Sequence, residues 1–295
     1  MKTFAKLGLA VAFCAAFFGP AAAQETASKP NVFIDYFWRP SDLNSNIAEQ
    51  VRNNVIEAIN ATNRVELIDV DSRSALAIEK DRRDSGQLAA DDDMSRISVM
   101  KEEGANALIQ GRITSLVIKK NTSKDGSIYY TATINYTLKA INPNDGKLIA
   151  SKTIKVGDEI LNLKTYQTAD EAAMGVAKDA KRGVASFIEE AFPVTGTILE
   201  AGEVKKDEIK TAYVSVGNTA GVKKGNKFNI CVERQIAGRT SHSVIGEAEI
   251  ETVEGDDISL VKIKKGGKEL KAAMDAGQTI VLKSVPKKER AGFSI

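Results

Sequence analysis

Apolar residues alternate along the first part of the chain between strand-like runs and helix-like spacing. The run NVFIDYF at 31–37 has the length of a strand, and RVELIDV at 64–70 predicts a second short one. Between them, one apolar position recurs with each turn of a helix, at Ile47, Val51, Val55 and Ile59. Asn46, with Glu49 three residues on, is a candidate N-cap, and Asn63 ends the helix. The pattern predicts two strands and a helix that buries one face.

Two helical stretches with an acidic loop between them are predicted next, at 71–83 and from 94 to Gly104. The loop contains Asp91, Asp92 and Asp93, whose carboxylates could hold a divalent cation if the loop folded around it. They also suit the approach to the positive N-terminus of the second helix. Consecutive side chains point in different directions, which favours the helix-approach interpretation, and no metal site is predicted.

A period of two then predicts a long antiparallel meander. The stretch 106–118 has strand character, and the next strand places apolar side chains on one face, namely Tyr130, Ala132, Ile134, Tyr136, Leu138 and Ala140. Its other face is polar and carries Thr131, Thr133, Asn135, Thr137 and Lys139. After the turn NPNDG, residues 147–156 return as the partner of this strand in a hairpin. The tyrosines alternate with threonines, so we interpret them as packing against a helix and not as a stacking platform.

The strongest helical pattern runs from Thr168 to Ala191 and ends before Pro193. Thr168 and Glu171 form a capping box at its start. An alanine-rich apolar stripe follows without interruption to Ala191, which predicts one continuous helix. Such a stripe permits close approach to a sheet or to another subunit, and we interpret it first as core.

From residue 194 to residue 285, short strands separated by glycine turns replace the helical pattern. Five or six strands in this length predict a small closed β-barrel, because closure removes exposed strand edges. No long helical period is evident there. The sequence therefore predicts an α+β fold with two domains, a mixed sheet with flanking helices over 24–193 and a small all-β barrel over 194–285, followed by a loose tail at 286–295.

The first 23 residues have the order of a secretory signal peptide. Lys2 and Lys6 precede an apolar run at 7–18, and small residues lead to a predicted cleavage after Ala23. The run is too short to cross a bilayer, which needs about 20 helical residues. Cys14 follows the bulky Phe13, so we do not expect it to carry a lipid, although lipidation is the alternative interpretation.

Charge and cysteine content narrow the function further. The chain has 41 basic and 39 acidic residues, and removal of the two leader lysines balances them. This balance predicts no nucleic-acid binding, which requires a basic stripe. Cys231 would be the one cysteine of the exported chain, so no internal disulfide is possible, and its alternating surroundings predict a buried strand position.

Residues for catalysis are scarce. His242 is the single histidine, and it lies in the polar stretch GRTSHS, which we interpret as a turn. The sequence contains neither a Walker-type phosphate loop nor a dinucleotide fingerprint. We predict no catalytic residue, no metal ligand and no cofactor, and hence a protein that is not an enzyme.

A set of marks in a fixed order resembles the periplasmic CsgG/HfaB and LpoB group over residues 31–192. The marks are Arg64, Arg73, Gly104-Ala105, Gly111 to Ile113 and Asp145-Gly146. The region from Val194, chiefly VSVGNTAGVKKGNKFNI, resembles the C-terminal barrel of the flagellar protein FlgT. CsgG is a curli secretion pore subunit and LpoB activates a penicillin-binding protein, so the resemblance implies a role in envelope assembly.

The expected function is that of a non-enzymatic periplasmic scaffold or regulator, with outer-membrane association possible. Its partners would be envelope proteins of secretion or peptidoglycan synthesis, and it could form a homo-oligomer. The alternative is a subunit of a curli-type secretion channel; the segments 119–127 and 157–167 are too short or too polar to supply membrane strands. We expect partner contacts on the helix face at 168–191 or on the exposed edge of the hairpin.

Overall fold

A computed structural model describes residues 29–69, 104–157 and 164–286. Its first part is a five-stranded mixed sheet with the strand order β2-β1-β3-β4-β5. The strands are β1 (Asn31–Ile34), β2 (Glu66–Asp69), β3 (Ala107–Thr122), β4 (Ile128–Ile141) and β5 (Leu148–Val156). β1 runs parallel to β2 and β3, whereas β3, β4 and β5 form an antiparallel meander. The predicted meander and hairpin are confirmed.

Three helices cover one face of this sheet, namely α1 (Ser45–Asn60), α2 (Ala169–Lys178) and α3 (Val184–Ala191). Their apolar residues pack with the apolar face of β4 into a single buried cluster. Tyr136 is fully buried there and donates its hydroxyl to the carbonyl of Ala180, and Tyr130 packs at the edge of the cluster. The interpretation of the tyrosines as packing residues is confirmed.

The first helix starts two residues earlier than the sequence pattern indicates. Its N-cap is Asn44, whose side chain accepts a hydrogen bond from the Asn46 N–H at 2.9 Å. The prediction of Asn46 as the cap is therefore wrong. Ser45 and Asn46 are compatible with helical backbone, and the polar stretch before Ile47 contains several residues that could cap.

The helix predicted as continuous from Thr168 to Ala191 is two helices. The capping box of Thr168 and Glu171 is present and starts α2, as predicted. α2 ends at Lys178, and Gly183, with a φ of +77°, starts α3. The apolar stripe continues across the break because Ala180 is also buried, so periodicity alone did not reveal the interruption.

The C-terminal part is a closed six-stranded barrel, as predicted. Its strand order is β10-β11-β12-β9-β6-β13, and a two-stranded ribbon of β7 and β8 stands beside it. The strands are β6 (Thr195–Ala201), β7 (Val204–Lys205), β8 (Glu208–Ile209), β9 (Thr211–Val214), β10 (Lys227–Ile236), β11 (Arg239–Val253), β12 (Ser259–Lys265) and β13 (Ile280–Val285). The barrel has an apolar core of its own.

One helix of this part was missed by the sequence analysis. α4 (Gly267–Asp275) follows β12 and buries Leu270 and Ala273 among the barrel residues. The expectation of an all-β barrel domain is wrong in this respect. α4 has only nine residues, most of them polar or charged, and two buried apolar positions are too few to show a helical period.

The α1–β2 turn, residues 61–65, packs against the barrel. The Asn63 side-chain amide donates to the Asn218 carbonyl at 3.0 Å. The next residue, Arg64, is buried, with only 6% of its surface exposed. Its guanidinium lies 3.3 Å from the Ser284 hydroxyl and 3.8 Å from the Glu189 carboxylate. Ser284 also accepts the Val194 N–H at 2.8 Å. The two parts thus share a polar junction. The predicted domain boundary at residue 193 stays a prediction.

Candidate interaction surface

The described part of the chain contains no group of three or more side chains that could hold a metal ion. Within the same ranges, no helix has the length and apolar content needed to cross a membrane. A shallow recess lies beside Tyr166, and its Lys164 and Asp179 side chains already form an ion pair at 2.7 Å. Burial raises the pKa of the Tyr166 hydroxyl. This recess offers no reactive group.

The residues singled out from the sequence fall in different places. Asp91, Asp92 and Asp93, and likewise Cys14, Arg73 and the leader, lie outside the described residues. His242 belongs to strand β11, where it pairs with Glu233, so the interpretation of its surroundings as a turn is wrong. This end of β11 is mostly exposed and its side chains are polar, so the sequence there lacks the alternating apolar pattern that predicts a strand. Cys231 is buried in β10, as predicted, and burial raises the pKa of its thiol.

The helix face proposed for partner contacts is occupied within the chain. The apolar stripe of α2 and α3 is buried against the sheet and α1, at Ala172, Ala173, Val176, Ala177, Ala180, Val184, Phe187, Ile188 and Ala191. Each of these residues is at most 6% exposed. The stripe is therefore core, which leaves the hairpin edge as the candidate surface.

Strand β5 is that edge. It pairs with β4 on one side, and on its other side it has no partner strand within 29–69, 104–157 and 164–286. Its first two residues are large, apolar and solvent-exposed, with Leu148 57% and Ile149 41% exposed. Lys152 is anchored behind the strand by a hydrogen bond to the Ser186 hydroxyl of α3.

The direction of the β5 backbone groups follows from the register. Trp38 exchanges backbone hydrogen bonds with Gly111 and Ile113 of β3, so Ile113 turns its N–H away from β4. Its partner Tyr136 then turns toward β5 and pairs with Ile154. The alternate residues of β5, including Ser151, consequently point their N–H and C=O groups outward. Among the described residues, these outward backbone groups of β5 have no partner strand.

The meander also projects beyond the rest of the sheet at its other end. β5 ends opposite Ile134, whereas β3 and β4 continue to the turn at 123–127. The turn is held by Asp125, which accepts hydrogen bonds from the Ser127 N–H at 3.1 Å and from the Ser123 and Ser127 hydroxyls. These bonds lower the pKa of Asp125 well below its usual range. The turn between β3 and β4 is thus held by local hydrogen bonds.

An aromatic side chain borders the meander on its β1 side. Trp38 is 49% exposed, and the Arg112 guanidinium lies 4.0 Å from the centroid of its ring. At such a distance a guanidinium is attracted to the ring face. Trp38 and Arg112 thus contact each other beside β3, beyond the end of β1. This contact was not predicted, because the two residues are far apart in sequence and a strand register is needed to bring them together.

Comparisons with known proteins give structural likenesses only. No protein-family model matches the chain, and no curated protein does. A PelC dodecamer from Paraburkholderia phytofirmans has 10% identity, a TM-score of 0.33, and coverage of 56% of this chain and 88% of its own. The lipoprotein GNA1162 from Neisseria meningitidis has 11% identity, a TM-score of 0.30, and coverage of 45% and 84%.

The C-terminal domain of LpoB from Salmonella enterica is also among the similar structures. It has 14% identity and a TM-score of 0.28, and the match covers 46% of this chain and 88% of the LpoB domain. At these values none of the three structures carries a conclusion about function. The resemblance to CsgG and HfaB, and that of the barrel to FlgT, stay predictions.

Proposed function

We propose that this protein is a non-enzymatic scaffold or regulator of the bacterial cell envelope that binds a partner protein along strand β5. The observation that carries the proposal is the open edge of β5 with its exposed Leu148 and Ile149. The predicted signal peptide supports a location in the envelope. The resemblance to LpoB and CsgG supports partners in peptidoglycan synthesis or secretion.

An open strand edge is a surface that an extended segment of another protein can join. Backbone hydrogen bonds supply affinity in such complexes, and side chains at alternate positions supply specificity. β5 has nine residues, which is enough for an added strand of ordinary length. Leu148 and Ile149 would contact apolar side chains at one end of the added strand.

Charge on β5 favours a partner other than a second copy of the same strand. The strand carries Lys152 and Lys155, directly follows Lys147, and contains no acidic residue. Pairing of two copies would bring like charges together, and lysines on an edge are a common guard against self-association.

A photo-cross-linking amino acid at position 148 tests the proposal in bacterial cells that express the chain. Position 236 in the barrel is the matched control, because Ile236 is 60% exposed and Leu148 is 57% exposed. We expect envelope-protein adducts from position 148 that position 236 does not form, identified by mass spectrometry. Adducts of the same proteins from both positions would contradict the proposal.

A second pair of variants tests the role of the backbone edge. Ser151→Pro removes an outward N–H without removing a β4–β5 hydrogen bond, whereas Ser151→Ala keeps that N–H. We expect Ser151→Pro to abolish the position-148 adduct and Ser151→Ala to retain it, with both variants folded by circular dichroism. Persistence of the adduct in a folded Ser151→Pro variant would refute strand addition. Light scattering that shows a discrete ring of copies would instead favour the secretion-channel alternative.

A further inference from the structure

The three strands of the meander carry basic residues and no acidic residue. Over β3, β4 and β5 the charged side chains are Arg112, Lys119, Lys120, Lys139, Lys152 and Lys155. The whole chain, by contrast, has 39 acidic residues against 41 basic ones. The meander is therefore a local concentration of positive charge in a chain that is nearly neutral overall.

The strand register sorts these charges between the two faces of the sheet. Residues directly opposite each other in an antiparallel pair share one face. Ile134, Tyr136 and Leu138 point into the core beneath the helices. Lys120 and Lys152 lie on that same helix-covered side, because they pair with Tyr130 and Leu138.

The opposite face receives the other four basic residues. We call its part from Gln110 to Lys119 of β3, with the paired residues of β4 and β5, the open face; beyond Gln110 that side of the sheet buries Leu108 and Phe33. Lys139 pairs with Gln110 and Ser151, and Thr137 pairs with Arg112 and Thr153. Farther along, the pairs are Asn135 with Ser115 and Lys155, Thr133 with Val117, and Thr131 with Lys119. The open face thus alternates single positive charges with hydroxyl and amide groups. From Lys139 to Thr131 it is about 27 Å long at about 3.4 Å per residue.

The carboxylates of the adjoining turns are already engaged. Asp145, in the β4–β5 turn, forms an ion pair with Lys147 at 2.8 Å, and that pairing lowers the pKa of Asp145. Asp125, in the β3–β4 turn, accepts the local hydrogen bonds of Ser123 and Ser127. Asp145 is thus neutralised within its own turn, and Asp125 is directed at the serines of its own turn.

We propose that the open face binds an acidic polysaccharide, that is, a glycan that carries carboxylates at intervals between neutral, hydroxyl-rich sugars. Such a chain presents separated negative charges, which suit Lys139, Lys119 and Arg112. Its sugar hydroxyls suit the threonine, serine and asparagine side chains between them. A twisted sheet of this length accommodates an extended polymer along the strands.

The composition of the open face favours a glycan over other anionic macromolecules. Proteins that bind single-stranded nucleic acid stack the bases on aromatic side chains. The central pairs of the open face carry threonine and asparagine instead, and Trp38 at the border is stacked on Arg112. An anionic membrane surface would select apolar or aromatic residues that insert among the lipids, and Val117 is the one large apolar residue in the five pairs above.

The test measures the binding of the full chain to a polygalacturonate oligosaccharide by isothermal titration calorimetry. Neutral dextran and an oligo-dT strand serve as comparison ligands. The double variant Lys119→Glu and Lys139→Glu reverses two charges of the open face. Its matched control, Lys120→Glu and Lys124→Glu, makes the same change of net charge on the other face and in the turn.

We expect polygalacturonate to bind, dextran to bind far more weakly, and affinity to fall with added salt. The open-face variant should lose about tenfold or more in affinity, and the control variant about twofold at most. An equal loss in both variants would overturn the proposal, as would binding of oligo-dT alone or of neither polymer. Glutamine in place of glutamate at both positions gives a milder second variant, which should show an intermediate loss.

This inference is independent of the proposed partner strand on β5. Lys119 and Lys139 lie on the open face, on strands β3 and β4, whereas the proposed partner strand would bind the outward backbone groups at the edge of β5. The open-face variant should therefore keep the position-148 adduct. Loss of glycan binding with that adduct retained would show the two surfaces to be separate.

Discussion

Arg64 shows how a single side chain can connect two parts of a molecule. Burial lowers the pKa of its guanidinium, while the nearby Glu189 raises it. An arginine stays protonated at any physiological pH, so the buried charge has to be satisfied by its neighbours. Ser284 and Glu189 fill that role, one from the barrel and one from helix α3.

Replacement of Arg64 by alanine should lower the free energy of unfolding by about 2 kcal/mol. The variant leaves a cavity and removes a donor from Ser284 and a cation from Glu189. Urea denaturation measures the change. Glu189→Gln is the control and should cost less than about 1 kcal/mol, because Glu189 is partly exposed and 3.8 Å away. An unchanged midpoint for Arg64→Ala would contradict the role assigned to the junction.

At the residue scale, the sequence predicted burial better than it predicted polar partners. Cys231 and the apolar face of β4 are buried as their alternation indicates. Arg64 was noticed as a mark of resemblance, but its contact with Ser284 joins residues 220 positions apart. A polar contact of that kind depends on how two folded parts meet, which local periodicity does not encode.

At the element scale, helix α2 depends on its capping box. Thr168 accepts the Glu171 N–H at 3.1 Å, and Glu171 in turn accepts the Thr168 N–H at 3.3 Å. These bonds satisfy groups that have no partner within the helix. The box also fixes the start of the element that packs on β4.

Thr168→Ala should cost about 1 kcal/mol of stability, since it removes the N-cap acceptor. Glu171→Gln keeps an acceptor at that position and should cost only a few tenths of a kcal/mol. Thermal or chemical unfolding of the two variants gives the comparison. A larger loss for Glu171→Gln than for Thr168→Ala would mean that charge at the helix terminus, and not the cap, sets the stability.

Elements with long, regular patterns were predicted well, and short or interrupted ones were not. The meander and the barrel were predicted from the alternation of apolar residues and from turn residues. The capping box was predicted from the spacing of Thr168 and Glu171. The break at Gly183 was missed because the stripe of small residues continues through it. α4 was missed because its two buried residues pack on the closed barrel, a tertiary contact that nine residues of sequence cannot show.

At the scale of the whole molecule, the junction rests on a close approach of backbone. Gly221 has a φ of +68°, and a Cβ atom there would lie 2.5 Å from the Thr62 carbonyl oxygen. The turn after α1 thus lies so close to Gly221 of the barrel that a side chain at position 221 would collide with it. The sequence indicates a turn at Gly221 but not which surface packs against it.

Gly221→Ala should destabilise the protein by more than Gly225→Ala does. Both glycines have positive φ, so each substitution costs about 1 kcal/mol of backbone strain. A Cβ at Gly225 meets nothing within 4 Å, so only Gly221→Ala adds a collision. Chemical denaturation of both variants measures the difference in unfolding free energy. Limited proteolysis of the connection between α3 and β6, at 192–195, gives a second measure. Equal effects would show that the junction adapts without cost.

The pairing of β6 with β13 sets an order of folding. Thr195 lies beside Lys283, so the first strand of the barrel needs the last one for its edge. β6 and β13 lie at opposite ends of the barrel sequence, so they can pair only when nearly the whole of that sequence is present. We expect the barrel to complete late, after the sheet with α1 to α3 has formed, because distant contacts close slowly.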